Sequence, residues 1–281
     1  MPETVLPSVA FDGAKNATPQ APVIEIAHLD AHYGSRQILF DVNLEVHPGE
    51  IMVVMGGSGS GKSTLLRLLV GLERPSAGII RLFGKDINRL GPNEMLDLRR
   101  RIGVSFQGGA LLSSLTVAEN IKLPLRELTR LDEKTMDIMA RLKLEVTNLS
   151  GFGDLMPSEL SGGMLKRAAV ARAIIMDPSL LFFDEPSAGL DPVVASALDD
   201  LILRLRDAME MTIVVVTHDI ESAFKIADRI TVLDKGRILA VDSAQAIRNS
   251  SNERIQNLLH RRAEQEDVDP AEYLRRIAGD A

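Results

Sequence analysis

The chain has no cysteine and no tryptophan, and its only tyrosines are Tyr33 and Tyr273. Without cysteine there can be no disulfide framework and no thiolate metal site, and a reducing compartment suits such a chain. No run of about 18 apolar residues occurs, so no segment reads as a bilayer-spanning helix. The start, "MPETVLPSVAFDGAKNATPQAP", lacks the basic head and apolar core of a signal peptide. Its Pro, Ala and polar content reads as a disordered leader over residues 1–22. Positive charge is also in deficit. Lys and Arg number 32 against 39 Asp and Glu, a formal net charge of −7 that argues against a general nucleic-acid binder. The remaining composition, 45% hydrophobic and 25% charged over 281 residues, is ordinary for one large globular domain or two small ones.

Glycine, by contrast, is concentrated. Gly56, Gly57, Gly59 and Gly61 fall within six positions, interleaved with Ser58 and Ser60 and followed by Lys62, Ser63 and Thr64. Glycine loses the most conformational freedom on folding, so such a cluster needs its backbone bare. The spacing fits G-x-x-x-x-G-K-[ST], and the context fits as well: the apolar run "IMVVM" precedes it and the helical pattern "KSTLLRLLVGL" follows. Bare backbone lets successive N–H groups face phosphate oxygens, and the helix N-terminus adds its own free N–H groups. In this pattern Lys62 reaches the outer phosphates and the Ser63 hydroxyl ligates Mg²⁺.

Along the rest of the chain, "PVIEIAHLDAHY" and "ILFDVNLEVHPGE" read as strands, "GIIRLFGKDI" as another, and "IGVSFQ" as a short buried strand ending at Gln107. From about 110 to 160 the pattern turns helical. Thr116 and Glu119 form a capping box, and "LDEKTMDIMARLKL" places Ile138, Met139 and Leu142 on one face. Further on, "SLLFFDE" and "TIVVVTH" read as buried strands separated by a helix, and "TVLDKGRILAVD" as a hairpin with a Lys-Gly turn. Alternating strands and helices predict an α/β fold with a mostly parallel sheet, into which the helical block of about 110–160 is inserted. Residues 246–281 read as a charged helical tail.

Two further stretches carry chemistry. "SLLFFDEP" ends an apolar strand on Asp184 and Glu185. Beside a phosphate loop, the first carboxylate suits Mg²⁺ through its water shell, and the second suits orienting and polarising an attacking water. "ELSGGMLKRAAVARAI" opens a helix with Ser161 at the cap and Gly162 and Gly163 in its first turn. That is a second helix N-terminus prepared for an anion. One loop already cradles the nucleotide, so this second end reads either as a well-capped surface helix or as one that serves the nucleotide of another copy across a dimer interface.

These segments together resemble an ABC transporter ATP-binding subunit over roughly Val23 to Asp242. "GGSGSGKST" resembles the Walker A loop, "LLFFDE" the Walker B strand, "LSGGM" the signature and "SAGLD" the D-loop with Asp191. His218 in "VVVTHD" matches the switch histidine, Gln107 in "SFQ" the Q-loop, and Tyr33 the aromatic that stacks on adenine. The resemblance implies a phosphate-loop core spanning 23–245, with an antiparallel β subdomain and the inserted helical subdomain. It implies ATP and Mg²⁺ as cofactors. Glu185, His218 and Gln107 would serve hydrolysis, residues 56–64, Tyr33 and Ser161–Gly163 would hold nucleotide, and Ser63, Gln107 and Asp184 would hold the metal.

Within that superfamily, "LSGGM", "FQGGALLSSLTVAENIKLPLRE" and "DEPSAGLDPVVASALDDLI" are similar to the Mla/Mce-type lipid-transport ATPases, also known from toluene-tolerance systems. That resemblance implies a homodimer on the cytoplasmic face of a bacterial inner membrane. Its partners would be an integral permease, a periplasmic Mce-domain lipid-binding protein and, often, a small STAS-domain protein. The alternatives are the ATPase of a small-solute importer, such as one for polar amino acids, and a soluble ABC protein of translation or repair. Translation factors carry two cassettes where this chain has one. Repair ATPases carry long coiled coils or zinc sites, for which no heptads or cysteines are present.

Overall fold

The structure, a computed structural model, describes residues 21–262; most of the leader and the end of the tail, with Tyr273, lie outside the described residues. The elements in chain order are β1 (Ile24–Tyr33), β2 (Arg36–Val46), β3 (Ile51–Met55), α1 (Lys62–Leu69), β4 (Ala77–Leu82), β5 (Lys85–Asp86), α2 (Pro92–Arg99) and β6 (Ile102–Ser105). There follow α3 (Val117–Leu128), α4 (Glu133–Val146), α5 (Gly162–Ala173), β7 (Leu180–Asp184), α6 (Pro192–Met209), β8 (Thr212–Thr217), α7 (Ile220–Ile226), β9 (Arg229–Asp234), β10 (Arg237–Ser243), α8 (Ala244–Arg248) and α9 (Glu253–Leu259).

The strands form two sheets. One is antiparallel, in the order β2-β1-β4-β5; the other has the order β10-β9-β3-β8-β7-β6 and is parallel except at the β9–β10 edge. β3 and β8 are buried along their whole length, which is why their sequences are continuous apolar runs rather than alternations. α1 buries Leu65, Leu66, Leu68 and Leu69 in a core shared with the antiparallel sheet. Residues of α6 and α7 share a second core with the other face of the large sheet. A third core joins α3, α4 and α5.

This arrangement positions the site. β3, β8 and β7 are neighbours running the same way, with Met55 opposite Thr217 and Val216 opposite Asp184. The phosphate loop, His218 and the Asp184–Glu185 pair therefore leave the sheet at one edge, the carboxyl ends of the strands where α/β proteins bind ligands.

Three local readings change in the fold. "GIIRLFGKDI" is two strands, because Phe83 (φ 50°) and Gly84 (φ 75°) form a left-handed turn and β5 folds back on β4. β6 stops at Ser105, and Gln107 stands exposed in the turn beyond it. In α4, Ile138 and Leu142 are 48% and 55% exposed, whereas Met136, Ala140 and Leu144 are buried. The helix carries apolar residues on two faces, and its sequence does not say which one α3 and α5 will cover. The Thr116–Glu119 capping box does form, with Glu119 N–H donating to Thr116 Oγ1 at 3.2 Å and Thr116 N–H donating to Glu119 Oε2 at 2.8 Å.

The seam between α6 and α7 holds a buried carboxylate. Asp199 accepts from Ser222 Oγ at 3.1 Å and lies 3.9 Å from Lys225 Nζ, and burial pushes its pKa up to about 6. A carboxyl that holds its proton more tightly folded than unfolded makes the protein less stable as pH rises from about 4 to about 6. Asp199→Asn should therefore raise the melting temperature at pH 8, by the equivalent of about 2 kcal/mol. The gain should shrink as pH falls through about 6 and vanish only below about 4, as read from melts of both proteins across that range.

Candidate functional site

The phosphate loop leaves β3 at Gly56 and re-enters helix at Lys62. Gly59 (φ 74°) and Gly61 (φ 105°) are left-handed, a conformation open to glycine at little cost. Gly56 is needed for a different reason: a Cβ there would lie 2.1 Å from the Leu233 carbonyl oxygen. The Lys62 ammonium is buried and donates to the Gly56 and Gly57 carbonyls at 2.8 and 2.9 Å. Burial lowers its pKa, while Glu185 and Asp184 act to raise it.

The loop is braced from the side by the β9–β10 turn. Lys235 and Gly236 (φ 45° and 78°) make the hairpin, Gly236 N–H donates to Ser60 O at 3.0 Å, and Phe40 N–H donates to Gly236 O at 2.9 Å. A Cβ on Gly236 would sit 2.1 Å from Ile38 O. Gly236→Ala should cost about 2 kcal/mol of stability in chemical denaturation. ATP affinity should fall with it, because the turn's grip on the loop is lost.

Glu185 and His218 meet. Glu185 Oε2 accepts from Thr217 Oγ1 at 3.2 Å and from His218 N–H at 3.3 Å, and lies 2.9 Å from His218 Nδ1. One carboxylate oxygen is thus fixed, and the other is left to the cleft. Asp184 is half-buried; burial and the neighbouring Glu185 raise its pKa, opposed by Arg67, Lys166 and Lys62. Its Oδ1 is buried without a hydrogen-bond partner among the described residues.

A cleft of about 690 Å³ is lined by Gly56–Gly59, Lys62, Ser63, Gln107, Glu185 and His218. A smaller cavity beside it, about 270 Å³, brings Tyr33 against Gly59–Thr64. Tyr33 is 46% exposed, and its hydroxyl donates to Glu73 Oε2 at 2.6 Å. The fold therefore gathers residues 56–64, Tyr33, Gln107, Asp184, Glu185 and His218 on one edge. Ser161, Gly162 and Gly163 do not line this cleft. They form the start of α5, where Ser161 Oγ accepts from Met164 N–H at 3.3 Å. Asp191 caps α6, accepting from Val193 and Val194 N–H, both at 3.1 Å.

The sequence reading missed Thr217, Leu258 and Arg261 as neighbours of the site. Thr217 stands directly before His218 and was within reach of the same argument. Leu258, at the end of α9, and Arg261, just beyond it, lie some 200 residues from the loop, and no local signal places them there.

Loop, carboxylate pair and helix end at the edge of a parallel sheet define a phosphate-loop nucleotide hydrolase. Residues 39–188 match the ABC transporter family. The chain is 40% identical to the "Intermembrane phospholipid transport system ATP-binding protein MlaF" of Haemophilus influenzae, over 84% of this chain and 90% of that one. It is 39% identical to the protein of the same name in Escherichia coli K12, over 85% and 89%. It is also 36% identical to the "Probable ribonucleotide transport ATP-binding protein mkl" of Mycobacterium tuberculosis, over 87% of this chain and 68% of that protein. Among solved structures, cbiO1 of Clostridium perfringens, part of an ABC transporter complex, superposes with a TM-score of 0.76 at 28% identity, covering 82% and 92%. A dimeric ATP-binding cassette bound to ADP and phosphate superposes at 0.73 and 31% identity, covering 79% and 98%. The chain belongs to the ABC transporter family, as an ATP-binding, ATP-hydrolysing subunit. Among the described residues no helix is long and apolar enough to cross a membrane.

Proposed function

We propose that the chain works as a homodimer at the cytoplasmic face of a bacterial inner membrane, where ATP hydrolysis powers an integral permease that moves phospholipid. A periplasmic Mce-domain lipid-binding protein and a STAS-domain protein complete this reading of its partners. The observation that carries it is the extended likeness to the MlaF proteins, which spans nearly the whole of both chains and is not confined to the nucleotide motifs. The domain organisation belongs to the same reading: an ABC domain over 23–245 with the helical subdomain of about 110–160 inserted in it. The likeness to mkl supports a second reading, in which the cargo is a small solute.

The residues present fit Mg²⁺. Asp184 Oδ1 is a buried, unpartnered acceptor, and the Ser63 hydroxyl and the Gln107 side chain stand at the cleft lined by the adjacent Glu185. Asp184, Ser63 and Gln107 would hold the ion. When bound, it would neutralise charge on the β- and γ-phosphates. The chain's own groups do the rest. Loop N–H groups and Lys62 orient the triphosphate, Tyr33 stacks on the base, and His218 holds Glu185, whose free oxygen accepts a proton from the attacking water.

The test is reconstitution of the chain with its genomically adjacent permease in vesicles. ATP-dependent movement of labelled phospholipid, with no movement of amino acids or nucleotides, supports the lipid reading. Movement of the small solute alone overturns it.

A further inference from the structure

Helix α5 carries two cations whose hydrogen-bond partners are main-chain carbonyls. Lys166 is buried, and its ammonium donates to the Glu185 carbonyl at 3.2 Å and to the Gln107 carbonyl. Arg172, two turns along, donates to the Gly109 carbonyl at 2.8 Å and the Ala110 carbonyl at 2.7 Å. Three of these four acceptors belong to left-handed residues: Glu185 (φ 47°), Gly109 (φ 74°) and Ala110 (φ 49°). For residues with a Cβ that conformation is disfavoured, and it persists only where the surroundings over-determine it.

Glu185 needs this twist. It turns the chain out of β7 just beyond Asp184, while Glu185 N–H still donates to Val216 O at 2.8 Å. The carboxylate is thereby sent to Thr217 and His218, and the carbonyl turns back to Ala188 N–H at 3.2 Å and to Lys166. The loop at Gly109 packs on the same helix: a Cβ there would meet Leu165 Cδ2 at 2.6 Å. Burial lowers the pKa of both cations, and the nearby Asp184 and Glu185 charges act in the opposite direction on Lys166. Holding two desolvated cations on neutral acceptors is unfavourable unless the geometry they impose is used.

We propose that Lys166 is a positioning residue of the ATPase site, which, with Arg172, clamps the left-handed main chain at Glu185 and at Gln107–Ala110 to helix α5. The start of that helix is Ser161–Gly163. The clamp makes one rigid piece of the helix end offered to a partner's nucleotide, the Gln107 loop and the hydrolytic carboxylate of the chain's own site. A change at one cleft then reaches the other through a single side chain. The inference rests on the reading of Glu185 as the hydrolytic carboxylate.

The experiment compares the full-length chain with Lys166→Met, which keeps the buried stem and removes the donor, and Lys166→Arg, which keeps the charge and the donors. Three readouts are taken: ATP turnover, equilibrium ATP affinity, and amide hydrogen exchange in the nucleotide-free protein. With Lys166→Met, kcat should fall by about tenfold or more at unchanged ATP affinity. Exchange should accelerate at residues 107–110 and 185–188, with the rest of α5 unaffected. Lys166→Arg should recover at least part of kcat and of the protection. Wild-type turnover and unchanged exchange in Lys166→Met overturn the proposal. So does a loss of affinity and protection spread over the whole chain, in both variants alike. Glu185→Gln run alongside separates the two levels. If it hydrolyses ATP normally the carboxylate assignment fails, whatever Lys166→Met does to turnover, while the exchange pattern still reports on the clamp.

Discussion

Glu185→Gln should reduce ATP turnover by about a hundredfold or more while leaving ATP affinity within about twofold. The amide keeps the shape of the side chain, and its carbonyl oxygen can still accept from Thr217 Oγ1 and His218 N–H, as Glu185 Oε2 does. What it loses is the ability to take a proton from water. Since Glu185 lines the cleft and Gln has the same shape, the neighbouring fold should be undisturbed. Lys62→Ala makes the contrast. It removes the ammonium seated on the loop carbonyls, so affinity itself should drop. Binding isotherms together with single-turnover hydrolysis distinguish the two. Wild-type hydrolysis by the Gln variant would show that Glu185 is not the base.

The second large effect concerns Gly162. The two signature glycines are not equivalent. A Cβ on Gly163 would come 2.5 Å from Val194 Cγ1, so the chain's own packing requires that glycine. A Cβ on Gly162 would meet only Leu190 Cδ2, at an ordinary 3.7 Å, and the residue is exposed. Nothing among the described residues asks for glycine there. A helix end that is bare toward solvent and absent from its own nucleotide cleft fits a role in a two-fold dimer, where it faces the partner's triphosphate.

Gly162→Asp should then fold and bind ATP normally on its own loop, yet lose nearly all turnover, because a carboxylate would face phosphate. Mixed with Lys62→Ala chains, which are also inactive alone, it should regain activity. In each mixed dimer one site carries both lesions and the other neither. Random pairing of independent sites restores about a quarter of wild-type activity. Full activity of Gly162→Asp by itself would remove the shared site.

Much of this site can be read directly from the chain because its chemistry is local. The phosphate loop is one continuous stretch, and its glycines, lysine and hydroxyls act through main-chain conformation and near neighbours. Asp184 and Glu185 are adjacent, and the Thr116, Ser161 and Asp191 caps each bond to N–H groups two or three residues on. Reach of this kind depends on sequence spacing alone. The nearness of Glu185 to His218 was legible only through the order of motifs, since the hydrogen bond between them depends on β7 and β8 lying side by side.

Other features were decided by packing. α4 has apolar residues on two faces, and only the closing of α3 and α5 over Met136, Ala140 and Leu144 chose between them. No local signal in the sequence marks Lys166 as buried. It is buried because the turn after Ser105 and the end of β7 both bring carbonyls to the same side of α5. Leu258 and Arg261 reach the cleft because α9 folds back beside α7. By itself, then, the sequence determined the phosphate-loop spacing and the adjacent carboxylate pair, because those features are set within a few residues or by backbone that glycine frees. The tertiary structure alone decided which helix face is core and which main-chain carbonyls Lys166 and Arg172 meet. Those contacts join segments tens to hundreds of residues apart, and only the packing of α5 on β6 and of α9 beside α7 brings them together.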